Sequence, residues 1–358
     1  MDRRDFLLAL ASLPTPGTAT AQTVEFPPVL PGRKLAFPAD YGAHPDFRTE
    51  WWYATGWLKL PDGSPLGFQT TFFRVRTGIG EDNPSAFAPR QLILAHAAIA
   101  DPGFGRLRHD ERAARVGFGR AGFAIGETGV WVGNWRFEQR AGRYRAEVHC
   151  KDFAYDLNLV PDGPPVLNGQ AGFSAKAGDP RHASYYYSRP QLAVDGSVTL
   201  AGMAKKVTGH AWLDHEWSSE LLPDEAQGWD WIGVNLDDGS ALMAFRLRDQ
   251  RNQALWAAAS IRQSNGSTEI LPVEAVTFEP VRHWRSPRTG ITYPVEWRVH
   301  IGQRHYLLKV LMDDQELDSR RSTGAIYWEG AIRLSEGERE IGRGYLEMTG
   351  YGERIRLG

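Results

Sequence analysis

The chain has 358 residues, 42% of them hydrophobic, with 41 Lys+Arg against 43 Asp+Glu and a formal charge of −2. This length allows two domains with sizeable cores, and the balanced charge lacks the basic excess of a nucleic-acid binder. The single cysteine, Cys150, excludes an intramolecular disulfide and a multi-cysteine metal site, while 13 Trp, 12 Tyr and 16 Phe suggest a large β core or an aromatic-lined pocket.

The first residues read as an address. Arg3-Arg4, then Phe6-Leu7, then an apolar run to Leu13 and the small-x-small triplet Ala19-Thr20-Ala21 follow in the order of a twin-arginine export signal. The apolar run falls short of the roughly 20 residues that span a bilayer. Residues 1–21 are therefore expected to be a signal peptide, with the mature chain starting at Gln22 and destined for the periplasm.

After a lead containing Pro27, Pro28, Pro31 and Pro38, turn signals punctuate the chain at Pro61-Asp62-Gly63, Pro102-Gly103, Pro161-Asp162-Gly163, Asp195-Gly196, Asp238-Gly239 and Asn265-Gly266. Alternating runs such as Arg143–His149 and Val295–His300 lie between them. Residues 107–116 are charged and Ala-containing and are read as either a short helix or a loop. Gly117-Phe118-Gly119-Arg120-Ala121-Gly122 matches a dinucleotide fingerprint by letter only, because no βαβ context surrounds it. Many short strands with polar turns predict an all-β sandwich or barrel.

The strands also repeat. Glu50-Trp51-Trp52-Tyr53 leads through Asp62-Gly63 to a strand containing Phe72-Phe73-Arg74. Trp229-Asp230-Trp231 leads through Asp238-Gly239 to a strand ending Phe245-Arg246. Both place a carboxylate among Trp residues, then a turn, then an apolar strand with Phe-Arg. This predicts a diverged duplication, with one domain over 22–200 and a second over 201–358.

Strand alternation sorts the side chains of these motifs. Along His210–Trp217, the residues His210, Trp212, Asp214 and Glu216 share one face, opposite Ala211, Leu213, His215 and Trp217. Two carboxylates, an imidazole and an indole on one face suit a cavity wall able to deliver a proton. Asp230 aligns with Ile232, Val234 and Leu236, where burial would favour its protonated form. Glu50 is read either as part of such a wall or as the partner of an arginine, Arg74 or Arg48. Tyr327-Trp328-Glu329 and Glu347–Tyr351 are read as closing strands with structural roles. His210 and His215 fall on opposite faces, so no metal site is expected there. No Gly-x-Ser-x-Gly elbow occurs.

His44-Pro45-Asp46, Glu50–Tyr53, Tyr185-Tyr186-Tyr187-Ser188, Trp212–Trp217, Gly228–Trp231, Tyr293–Trp297, Tyr327–Ala331 and Gly344–Tyr351 together resemble the carotenoid 1,2-hydratase/AttH-like superfamily. The resemblance implies two lipocalin-like antiparallel β-barrels packed together, with an apolar ligand between or inside them and no cofactor. It implies acid protonation of a C=C bond followed by addition of water. Asp214 would be the first candidate donor, with Asp230 and Glu216 as further catalytic candidates. The ligand-binding set would be Trp52, Tyr53, Tyr186, Trp212, His215, Trp217, Trp229 and Trp231. Two other readings stand beside the hydratase. One is a periplasmic carrier of a hydrophobic small molecule such as a lipid, and the other is a scaffold associated with an inner-membrane transporter complex.

Overall fold

A computed structural model describes residues 24–354. The expected signal peptide and its cleavage site lie outside the described residues. Two antiparallel sheets carry the chain, with short 3-10 turns at Ala39–Tyr41 and Val273–Ala275.

The first sheet opens with β1 (Thr49–Lys59), β2 (Pro65–Arg76), β3 (Gln91–Asp101) and β4 (Arg106–Arg115). It continues through the short strands β5 (Ala121–Phe123), β6 (Gly129–Val132), β7 (Trp135–Arg140), β8 (Arg143–His149) and β9 (Phe153–Val160). β10 (Val166–Leu167), β11 (Phe173–Ala175), β12 (Ala183–Leu200) and β13 (Met203–Ser218) complete it. The second sheet holds β14 (Gly228–Leu236), β15 (Ala241–Arg248), β16 (Ala254–Arg262), β17 (Thr268–Leu271) and β18 (Val276–Arg285). It ends with β19 (Thr292–Ile301), β20 (Arg304–Val310), β21 (Glu316–Ser319), β22 (Ala325–Glu336) and β23 (Arg339–Met348).

Chain connectivity forces both sheets to curl. The first runs β4-β3-β2-β1-β13-β12-β9-β8-β7-β6-β5, so its two edge strands are consecutive in sequence. Laid flat, eleven strands would separate those edges by about 48 Å. The link from Arg115 to Ala121 can reach only about 20 Å. The second runs β17-β16-β15-β14-β23-β22-β20-β19-β18, and its edges are again consecutive, joined by residues 272–275. Curling leaves the alternate residues of each strand inside. Trp52, Phe68, Phe72, Trp135 and Tyr155 fill the first barrel, and Tyr293, Trp297, Trp328 and Ile332 fill the second. The charged segment 107–116 lies almost wholly in strand β4 rather than in a helix or loop.

The repeat expected from the sequence is present in the pairing. β1 lies between β2 and β13, the last strand of the first sheet, and β14 lies between β15 and β23, the last of the second. Glu50 sits opposite Arg74 and Asp230 opposite Arg246, and each carboxylate is 2.7 Å from its arginine Nε. The boundary, however, is later than expected. Residues 203–218 are the central strand β13, which pairs with β1 and β12, so sheet membership changes between Ser218 and Gly228 rather than near residue 200. The turn Ala201-Gly202, both residues at positive φ, reverses a long hairpin within the first sheet. That turn marks no domain junction.

Candidate functional site

The outer faces of β1, β2, β3, β12 and β13 pack against the outer faces of β14, β15, β22 and β23. Trp57 Nε1 donates to the Gly344 carbonyl (2.9 Å), Asn235 Nδ2 donates to the Ala211 carbonyl (3.0 Å), and the Gln191 amide donates to Asn235 Oδ1 (2.8 Å). Between these contacts the two faces separate around a cavity of about 310 Å³. Leu92, Leu94, Phe73, Trp51, Trp229 and Phe245 give it apolar and aromatic walls. Among its lining residues are the acids Asp214, Glu216, Glu329 and Glu347, with Glu50 at the margin beside Arg74. The interiors of the barrels are filled by side chains, and this chamber lies between them.

Strand alternation decides which expected residues reach the chamber. Asp214 and Glu216 line it from β13, Tyr53 from β1, Tyr186 from β12, and Trp229 and Trp231 from β14. Trp212 packs beside them on the same face and donates its indole N–H to Asp214. Trp52, His215 and Trp217 occupy the opposite faces of their strands. There Trp52 stacks on His215 (4.8 Å) and Trp217 stacks on His44 (3.7 Å). Asp230 also faces away, into the second barrel, where Arg246 (2.7 Å), Arg248 (2.9 Å) and the Tyr351 hydroxyl (2.9 Å) surround its carboxylate. The expectation of a free buried acid at Asp230 is not met, because two guanidinium groups already compensate its charge.

Asp214 is the best defined acid. Oδ1 accepts hydrogen bonds from Ser188 Oγ (2.6 Å) and Trp212 Nε1 (2.6 Å), and Oδ2 accepts one from the Tyr186 hydroxyl (2.7 Å). Asn168 supports Ser188, and Trp231 Nε1 supports Tyr186 (3.1 Å). Burial pushes the Asp214 carboxyl up to about 7, against the three donors that favour its charged form. The group therefore changes protonation state near neutrality in an apolar chamber. Glu216 differs, since Lys176 Nζ lies 2.8 Å away and Ser184 Oγ also donates to it. Lys176 is itself buried, with its ammonium 4.4 Å from the centre of the Phe245 ring.

Sequence reasoning gave Glu329 and Glu347 structural roles, whereas the fold puts both into the chamber. They are cross-strand partners on β22 and β23. Burial raises Glu347 to about 7, with the charges of Asp214 and Glu216 adding to the rise and the Trp229 indole opposing it. Burial and the adjacent Glu347 hold Glu329 well above the usual carboxylate range. The signal was available, because each is a lone acid between residues that alternation sends into a core: Trp328 and Gly330, and Leu346 and Met348.

A second polar cluster caps one end of the first barrel. Glu50 accepts from Arg74 Nε (2.7 Å) and sits within hydrogen-bond distance of His44 Nδ1 (2.8 Å) and His215 Nε2 (2.9 Å). His44 Nε2 continues to Asp40 (3.0 Å), and His215 Nδ1 to the Tyr187 hydroxyl (3.0 Å). Burial opposes charge on Glu50, but Arg74 and the two imidazoles hold it well below the usual range. Burial likewise opposes charge on His44, yet Asp40 and Glu50 raise it, while burial lowers His215. His44, Glu50 and His215 offer ligand atoms within 4.8 Å of one another. Every ring nitrogen there already has a partner, and Arg74 supplies the positive charge beside Glu50, so the set is satisfied without an ion.

The AttH-like family model matches residues 28–351. The chain belongs to the AttH-like family. An AttH protein from Nitrosomonas europaea is 49% identical over 91% of this chain and 100% of its own, with a TM-score of 0.85. Kievitone hydratase from Nectria haematococca is 17% identical over 91% of this chain and 96% of its own (TM-score 0.68). CghA, solved with Sch210972, is 13% identical over 86% and 89% (TM-score 0.55). At those identities the latter two share the fold of this AttH-like protein, which is lipocalin-like. No match was found among curated proteins.

Proposed function

We propose that this AttH-like protein is an exported hydratase that adds water to an isolated C=C bond of a neutral, isoprenoid-like molecule held between the barrels. The observation that carries the reading is Asp214, a buried acid with a value near 7, set in an aromatic chamber. The name of the kievitone hydratase that shares the fold supports the reaction class. Twin-arginine residues followed by a cleavable pattern support export.

In the reaction, the Asp214 O–H bond breaks and its proton forms a C–H bond with the less substituted alkene carbon. A tertiary carbocation is left on the neighbouring carbon. Trp51, Trp229 and Trp231 line the wall, where aromatic rings can stabilise that charge. Water oxygen then bonds to the cation and releases a proton, so the net change is alkene plus water to tertiary alcohol.

Incubation with squalene in ¹⁸O-water tests this. The expected result is a tertiary alcohol carrying ¹⁸O, formed at a rate that Asp214→Asn lowers by about 10²–10⁴-fold. Saturable squalene binding by the wild type with no ¹⁸O uptake would instead identify a carrier, and equal rates in both proteins would remove Asp214 from the mechanism.

A further inference from the structure

Proton delivery from the first barrel leaves one part of the chamber unused. Glu329 and Glu347 face the chamber side by side from the second barrel, with Tyr53 opposite them on β1. Tyr53 Oη and Glu329 Oε1 are buried in the chamber wall within electrostatic reach of each other, and neither has a well-formed hydrogen bond among the described residues. Poorly paired buried polar atoms are costly, so two side by side on a cavity call for a guest that both donates and accepts.

The charges around this point select the guest. Lys176 is taken by Glu216 and Arg74 by Glu50, which leaves no uncommitted Lys or Arg among the described lining residues to receive an anion. Two adjacent carboxyl groups in a medium of low dielectric cannot both ionise, so one of the pair keeps its proton and can donate. A carboxylate or phosphate would be repelled by the other member and by Asp214. A pure hydrocarbon would leave both atoms without a new partner. A neutral hydroxyl group satisfies them.

We propose that Tyr53, Glu329 and Glu347 form a hydroxyl-binding pole of the chamber, which seats the oxygen of an apolar alcohol or of the water from which that alcohol forms. This rests on the apolar-ligand reading of the cavity. In hydration, water held at the pole bonds to the carbocation through oxygen and passes one proton to the Glu347 carboxylate. Asp214 regains a proton from solvent, and Glu347 loses one to it, when the product leaves. Protons and charge therefore balance over a turnover.

Quenching of tryptophan fluorescence by farnesene, farnesol and farnesoic acid, which share one carbon skeleton, tests the pole at pH 8. Farnesol is expected to bind about tenfold more tightly than farnesene, and farnesoic acid more weakly than either. Glu329→Leu is expected to keep farnesene affinity and to abolish the advantage of farnesol. Tyr53→Phe, which removes a single oxygen, should lower farnesol affinity alone and serves if the leucine variant does not fold. Equal binding of farnesol and farnesene by the wild type, a preference that survives both variants, or tightest binding by farnesoic acid would overturn the inference. Failure of farnesene and farnesol alike to bind would overturn the apolar-ligand reading itself, and the pole with it.

Discussion

Buried aspartates with similar exposure behave differently because of what surrounds them. Asp214 meets only neutral donors, so ionising it costs free energy that burial does not return. Asp230 meets two guanidinium groups, and its charge is compensated. Glu347 resembles Asp214, and its consequence for stability can be isolated. Its folded value of about 7 lies above the ordinary 4.5, so the folded state holds that proton more tightly than the unfolded chain. The contribution is present at low pH and is lost as pH rises through about 7. Glu347→Gln, which cannot ionise, should therefore gain stability relative to wild type between pH 5.5 and pH 8.5, by ~1–3 kcal/mol. Urea unfolding at the two pH values measures this, and an unchanged difference would mean that Glu347 is solvated. By the same logic, turnover that depends on protonated Asp214 should fall about tenfold per pH unit above 7, read from a pH–rate profile.

At the scale of elements, the two hairpins β1–β2 and β14–β15 repeat one device. A carboxylate near the start of the first strand is held by an arginine directly across the ladder, at the end of each barrel. In the second hairpin Asp230 holds both Arg246 and Arg248, the latter fully buried. Removing one member of a buried ion pair leaves uncompensated charge and costs about 3–5 kcal/mol. Asp230→Asn is thus expected to lower stability by that amount in urea unfolding, while squalene binding per folded molecule stays unchanged. A loss below about 1 kcal/mol would show that water reaches the two arginines. Alternation within single strands made much of this legible. It separated Asp214 and Glu216 from His215 and Trp217, and Trp229 and Trp231 from Asp230. Alternation could not say which face met the other barrel, so Trp52, Trp217 and His215 joined the expected ligand set although they face inward.

At the scale of the molecule, the chamber exists only because two curled barrel-like sheets dock by their outer faces. Close approach at the contact is set by small residues: a Cβ on Gly67 would lie 2.5 Å from the Tyr345 hydroxyl and 2.8 Å from the Ala331 Cβ. Gly67→Leu should wedge the barrels apart, removing squalene-dependent fluorescence quenching while far-UV circular dichroism keeps its β signature. Retained quenching would show that the chamber tolerates a wider gap.

The aromatic excess, the alternating runs, the turn dipeptides and the repeated Trp–turn–Phe-Arg pattern determined an all-β duplicated fold from the sequence alone, because each is a local property of a strand or a turn. Tertiary structure decided the rest. Pairing of β13 with β1 moved the sheet boundary past Ser218, since a strand's membership is fixed by partners far away in the chain. Docking of the two outer faces brought Glu329 and Glu347 to within reach of Asp214, more than a hundred residues away. The charges of these groups depend on burial and on one another, and neither exists until the barrels meet.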